Sequence, residues 1–391
     1  MGLSVIPITN KLGKGGFEAK MLPSRWLSIQ ISIERAQLAS RGLSMLQEKG
    51  KRIGTILEYA HLLLSIRHEE DEAIVNQHGI VTDMGGELLM LIQTAPGLCR
   101  LMPGPEFSPR LYRGQNQYFE HGSPSLHREG LRQIDRLYWM AKIVELQAVL
   151  TKHPAVLDLA ACRWEGLAFD IDFEALAQHY GYCTTLLDFS RSRDVAMFFA
   201  TCAYDSQHKR YAPLSQGDAV LYTADLRSLI LQRHGQVFPL GLEPLPRPEA
   251  QRALAVRLAP KENLNEMPWI HRTKIEITPA LSRRYFDMFD GGGALFPEDE
   301  FDDYVDKLRE SRTIPLGVIQ FAIADSHLPQ HPEGLRGAVR ELHRAGYTVT
   351  DSVPSMDPET VETAGRDWQQ QRSGYFARVR VRGMCDHVQT S

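Results

Sequence analysis

Three short stretches of this chain combine residue types that could do chemistry. The first is "LYRGQNQ", residues 111 to 117, in which Arg113 stands between Tyr112 and Gly114 with Gln115 following. A guanidinium is a planar fork that can hold a phosphate or carboxylate through two bonds at once. Glycine after it suggests a backbone that something approaches closely, although a surface arginine before a turn uses the same residues. The second is "QHYGYCTTLLDFSRSRDVAMFFA", residues 178 to 200. Gln178, His179, Thr184, Asp188 and Ser190 are packed between two apolar segments there, and polar groups so placed must be satisfied by one another or by a ligand. Helix capping by Ser190 or Ser192 and a structural hydrogen bond from His179 answer the same demand. The third is "PEAQ", which places Glu249 and Gln251 two residues apart before the apolar run "RALAV". On a strand both would point to one face, where a carboxylate or amide could serve a reacting sugar.

A further stretch, "ARVRVRG", alternates Arg378, Arg380 and Arg382 with valines. Strand alternation would place the arginines on one face, either to follow a phosphate backbone or to protect an exposed edge.

These residues must be positioned by elements the sequence also announces. Apolar residues at helical spacing predict helices from about residue 23 to 98. They predict another over 131 to 150, with Ile134, Leu137, Ala141, Val144 and Ala148 on one face. Residues 173 to 204 suggest helix, turn, short strand and helix. "GDAVLYTADL" and "RALAVRLA" suggest strands, as do "LGVIQFAI" and "GYFARVRVRG", with a helix ending near Gly346 between the last two. Widely spaced strands among helices predict an α+β fold. It divides into an N-terminal helical region (1–100), a core (101–310) and a small C-terminal α/β extension (311–391).

Composition excludes several classes. With 43% hydrophobic and 24% charged residues, the 391-residue chain is ordinary for a globular protein of about two to three domains. A net charge of −4 supplies no global basic field, so nucleic acid must be met by a local patch. The five scattered cysteines lack metal spacing and suggest free thiols in a reducing compartment, and no metal site is expected. No run is long and apolar enough for a signal peptide core or a membrane span, so a cytoplasmic protein without membrane partners is the expectation.

"YRGQ" followed by the 178 to 200 block resembles the FRG domain family, named for its (Phe/Tyr)-Arg-Gly motif. The family signature runs Gln-His-x-Gly-x-x-Thr-x-Leu-Leu-Asp-(aromatic)-(Thr/Ser). Arg247 and Gln251 match its Arg-x-x-x-Gln stretch, and "GGGALFPEDEF" resembles its closing segment. Cys183, Thr185 and Phe189 stand where that pattern usually has Pro, Arg and Trp.

The order of these elements also resembles ADP-ribosyltransferases of the Arg-Ser-Glu type. That second resemblance implies a mixed-sheet core and NAD as substrate. Arg113, with Tyr112, Gly114 and Gln115, would hold the pyrophosphate or ribose. Gln178, Thr184, Asp188 and Ser190 would line the cofactor site. His179, Arg113 and Glu249 or Gln251 would be catalytic. The acceptor would be a macromolecule, RNA or DNA before protein, with Arg378, Arg380 and Arg382 as its guide. A toxin or phage-defence effector held by an antitoxin or chaperone-like partner is the role implied. A non-catalytic nucleotide- or nucleic-acid-binding module and a metal-independent nuclease using His179 and Asp188 remain open.

Overall fold

The computed structural model describes residues 54–55, 89–103 and 110–382, except 165, 234–235, 241–242, 298, 300, 326–332 and 379–380. The helices expected between 23 and 88 lie almost wholly outside these residues. Where that region is described it is extended. β1 (Gly54–Thr55) and β2 (Leu89–Ala95) pair in parallel, and β2 turns at Gly97 into antiparallel β3 (Leu98–Pro103). The helix expected to reach residue 98 is therefore strand from Leu89, and the boundary drawn at residue 100 falls inside β3.

The chain continues through β4 (Arg110–Gln115), then α1 (Gln133–Leu150) and α2 (Pro154–Ala161). β5 (Arg163–Trp164) and β6 (Leu167–Phe169) rejoin the first sheet, in the order β1-β2-β3-β6-β5. Next come α3 (Phe173–Gln178), β7 (Leu186–Ser190) and α4 (Arg193–Thr201). Asp172 caps α3 and Ser192 caps α4, each side chain accepting a first-turn backbone N–H. β8 (Cys202–Asp205) and β9 (Arg210–Pro213) form a hairpin. β10 (Gly217–Asp225), α5 (Leu226–Arg233), β11 (Val237–Pro239), α6 (Arg247–Ala250), β12 (Ala253–Arg257) and β13 (Ile270–Ile277) complete the core.

The second sheet runs β11-β12-β7-β4-β10-β13, antiparallel throughout. One core cluster joins Leu187, Phe189, Tyr222, Leu254 and Val256 of the sheet to Leu226 and Leu229 of α5. Another packs Val195, Met197 and Phe198 of α4 against Leu221 of β10 and Tyr285 of α7 (Pro279–Met288). The fold is α+β, with mixed sheets and interleaved helices.

Beyond the core lie α8 (Asp302–Glu310), β14 (Thr313–Pro315), α9 (Leu316–Asp325), α10 (Gly334–Arg344), β15 (Thr348–Thr350), α11 (Pro358–Arg378) and β16 (Val381–Arg382). Two expectations fail here. "LGVIQFAI" is helix α9, whose Val318, Ile319 and Ala322 bury against α1. A segment apolar on every side carries no period to separate helix from strand. Of the described residues of "GYFARVRVRG", Gly374 to Arg378 end α11, with Tyr375 buried beside Trp368, and Val381–Arg382 are extended. Arg378 is helical, Arg382 is on β16, and Arg380 lies outside the described residues. The three arginines do not share one strand face.

Among the described residues Cys99, Cys162, Cys183 and Cys202 are free. None of the described helices is long and apolar enough to cross a membrane. No described group of His, Cys, Asp and Glu is arranged to hold a metal.

Candidate functional site

The site begins where the second sheet splits. β4 pairs with β10 over six positions but touches β7 at a single one, Tyr112 opposite Ser190. Beyond that point the strands part and leave β7 carbonyls without a ladder partner. Arg113 fills one of these places: its Nη1 donates to the Asp188 carbonyl at 2.8 Å. Burial draws the Arg113 pKa down from its ordinary value, the Asp188 carboxylate opposes that shift, and the guanidinium remains a cation. Its Nε is buried and has no partner.

Gly114 has a different reason from the one expected. A Cβ there would lie 1.7 Å from the Ala196 carbonyl oxygen and 2.8 Å from the Ala200 nitrogen. The backbone that approaches this glycine is that of α4. Glycine is needed so that the helix can seat on the strand.

His179 caps the C-terminus of α3, and Gly181, at φ 80°, turns the chain away. Its side chain is 1% exposed. Its tautomer follows from its neighbours. Gln251 faces the Leu295 carbonyl at 3.1 Å, which can only accept, so the amide Nε2 points there. Oε1 therefore faces His179 Nδ1 at 3.0 Å, and Nδ1 carries the hydrogen. In the neutral ring Nε2 then holds a lone pair, with no partner of its own. The nearest carboxylate oxygen, Asp188 Oδ1, is 3.8 Å away, beyond hydrogen-bond reach, and is also unpartnered.

The residues expected at the site divide sharply. Tyr112, Arg113, Gly114, Gln115, His179, Asp188, Ser190 and Gln251 line one cleft of about 350 Å³. Gln178 and Thr184 do not. Thr184 donates to Gln178 Oε1 at 2.9 Å and accepts from the Leu186 amide, while Gln178 Nε2 donates to the Leu186 carbonyl. They fasten the turn between α3 and β7. Ser190 lines the cleft but is committed to structure, donating to the Gln251 carbonyl at 2.7 Å and accepting from the Ser192 amide.

Glu249 is a correction. Pro246 and Pro248 start a helical turn, so Glu249 lies on α6 and Gln251 at its C-cap, and the strand begins only at Ala253. The two side chains share no strand face, and Glu249 is not part of the cleft wall. Among the described residues, Asp188 is the one carboxylate lining it.

Sequence reasoning missed the aromatic wall: Phe119, Phe199, Tyr204 and Tyr211. It also missed what holds His179 from behind. Arg247 donates to the His179 carbonyl at 3.4 Å, lies 4.4 Å from the centre of the Tyr180 ring and pairs with Asp302 of α8. The four motif-bearing stretches thus meet at one place: β4, the α3–β7 turn, the Arg247–Gln251 segment and the Leu295 loop.

The family model of the FRG domain matches residues 108–209, which carry Arg113, His179, Asp188 and the β8–β9 hairpin up to Lys209. No curated protein and no solved structure matches the chain.

Proposed function

We propose that the cleft binds NAD and transfers its ADP-ribose to a macromolecule. The observation that carries this reading is the convergence of four buried polar atoms with no partner on the residues of one cleft: Arg113 Nε, Gln115 Oε1, His179 Nε2 and Asp188 Oδ1. Buried polar atoms are ordinarily satisfied, and these four belong to the chemical types a dinucleotide glycoside requires.

Arg113 is the cation for a phosphate. When the bond from nicotinamide to ribose breaks, the electron pair leaves with nicotinamide and positive charge develops on the ribose. Asp188 is the carboxylate able to stabilise it. An acceptor hydroxyl or amine then bonds to the anomeric carbon and surrenders its proton to the lone pair on His179 Nε2, while Gln251 holds the ring through Nδ1. In this reading Asp188, rather than Glu249 or Gln251, takes the stabilising role at the ribose. A chain that modified macromolecules of its own cell would need restraint, so a toxin or phage-defence effector with an inhibitory partner is the role this activity implies.

The test is incubation of the full chain with NAD labelled in its adenylate half, together with cellular RNA, DNA and protein. Free nicotinamide and label in one macromolecular fraction are expected. NAD that stays intact in every fraction would overturn the reading. Nucleic acid cut without NAD would assign His179 and Asp188 to hydrolysis instead.

A further inference from the structure

At the mouth of the cleft, two aromatic side chains are left in solvent although both line it: Phe119 is 44% exposed and Tyr204 is 54% exposed. Tyr118, next to Phe119 in the chain, is 49% exposed. Large apolar rings in water carry meaning when they gather at one place and are held there.

These are held. Asn265 Nδ2 donates to the carbonyls of Phe119 and Glu120, and Asn263 Oδ1 accepts from the Gly122 amide. The loop bearing Tyr118 and Phe119 is therefore pinned through its backbone, leaving the rings outward. On the hairpin, Tyr211 stacks on Phe296 with centroids 5.2 Å apart and planes 19° apart, and Tyr204 stands edge-on to Tyr211 at 5.2 Å. The inner ring anchors the hairpin and the outer one is presented. A cation accompanies them: Arg272 of edge strand β13 donates to the Tyr118 hydroxyl at 3.1 Å, with its guanidinium 5.7 Å from that ring's centre.

We infer that the mouth is an acceptor subsite for an unpaired base of a single-stranded nucleic acid, stacked on Tyr204 and Phe119, with Arg272 beside its phosphate. Preorganised rings next to arginine are how proteins grip single strands without reading sequence. A duplex hides its base faces in its own stack, whereas an unpaired base offers a face to a ring. The inference deepens the transferase reading by naming its acceptor, and it is tested without NAD, so the two can fail separately.

The experiment is fluorescence anisotropy of the full chain with labelled single-stranded RNA and DNA of one mixed sequence, and with the corresponding duplex. The parent should prefer the single strands. Tyr204→Ala should bind them about 5- to 150-fold more weakly, the loss expected for one stacked base, and Tyr204→Phe, which keeps the ring face, should restore binding. Arg272→Gln should lower the salt slope by about 0.7 for one phosphate contact. Binding of Tyr204→Ala equal to the parent, or duplex bound as well as single strand, would overturn the inference. So would transfer of label to protein alone. Oligonucleotide binding by a chain that never cleaves NAD would leave this subsite standing and sink the transferase reading.

Discussion

Lys142 on α1 and His179 at the end of α3 are both side chains that water scarcely reaches, 0% and 1% exposed, yet their surroundings are built to opposite rules. The Lys142 ammonium meets Glu145 at 2.8 Å and the Thr313 carbonyl at 2.9 Å, and neither side chain of that pair has a buried atom without a partner. Burial pulls the lysine pKa down and the glutamate pKa up, and the mutual attraction opposes both shifts. Around His179 one nitrogen is fixed by Gln251 while the other faces a carboxylate too distant to bond. The first cluster is closed. The second is held firmly from behind and left open in front. Buried charge that is fully paired joins helices to strands, and buried polarity left half-paired awaits something else.

The largest effect should come from breaking the seat that holds the cleft together. Gly114→Ala drives a methyl group into the backbone of α4, where no side-chain rotation relieves it. A loss of roughly 5 kcal/mol or more, the exceptional class for one substitution, is expected in urea titration. A stable variant would mean that α4 can slide on β4 and that the split in the sheet is not fixed by this contact.

Next come the two clusters themselves. Lys142→Met strands Glu145 in the interior and should cost about 3 to 5 kcal/mol of stability, with little effect on the activity of the folded fraction. Asp188→Asn should do the reverse. Its carboxylate is part exposed and unpartnered on Oδ1, so only its attraction to the Arg113 guanidinium is lost, and the melting temperature should fall far less than for Lys142→Met. Turnover of NAD should fall about 100-fold or more, the size of removing one electrostatic stabiliser. If Asp188→Asn unfolds the chain, or keeps full turnover, the contrast between closed and open clusters is lost.

How far the sequence showed this depended on what kind of signal each residue left. Arg113, His179, Asp188 and Gln251 were visible because polar types crowded among apolar ones leave a trace in the chain itself. The reason for Gly114 was not visible, since the helix that needs it lies some eighty residues on and only packing brings Ala196 to it. Glu249 was not legible, because the apolar run after it suggests a strand entry, whereas Pro at the first helical positions makes "RPEA" a helix start. The arginines of "ARVRVRG" alternate as a strand would, but tertiary packing of Trp368 and Tyr375 against α2 and β3 decides for a helix through Arg378. The aromatic mouth left least trace, because Phe119 and Tyr204 come from separate loops and no spacing links them.

The smallest effect probes a third cluster, which lies between the other two in kind. Arg100 of β3 pairs with Asp170 at 3.3 Å and with Asp172, the cap of α3, at 3.5 Å, and Glu243 lies beside them, 3% exposed with Oε2 unpartnered. Burial lifts the Glu243 pKa from 4.5 to about 8, Asp172 and Asp170 add to the rise, and Arg100 opposes it. The folded state therefore holds a proton that the unfolded chain gives up above pH 4.5. This contribution is fully present below that pH and is lost as pH rises toward 8. Between pH 5.5 and 7 the loss should be roughly 2 kcal/mol, at about 1.4 kcal/mol per pH unit. Glu243→Gln cannot ionise, so the parent should lose stability relative to it across that interval. His127 and His153, whose pKa values burial lowers, impose a slope of opposite sign that parent and variant share, so it cancels in the difference. Parallel stability curves for the two proteins would mean that Glu243 is already charged and paired. The cluster under α3 would then be as closed as that of Lys142.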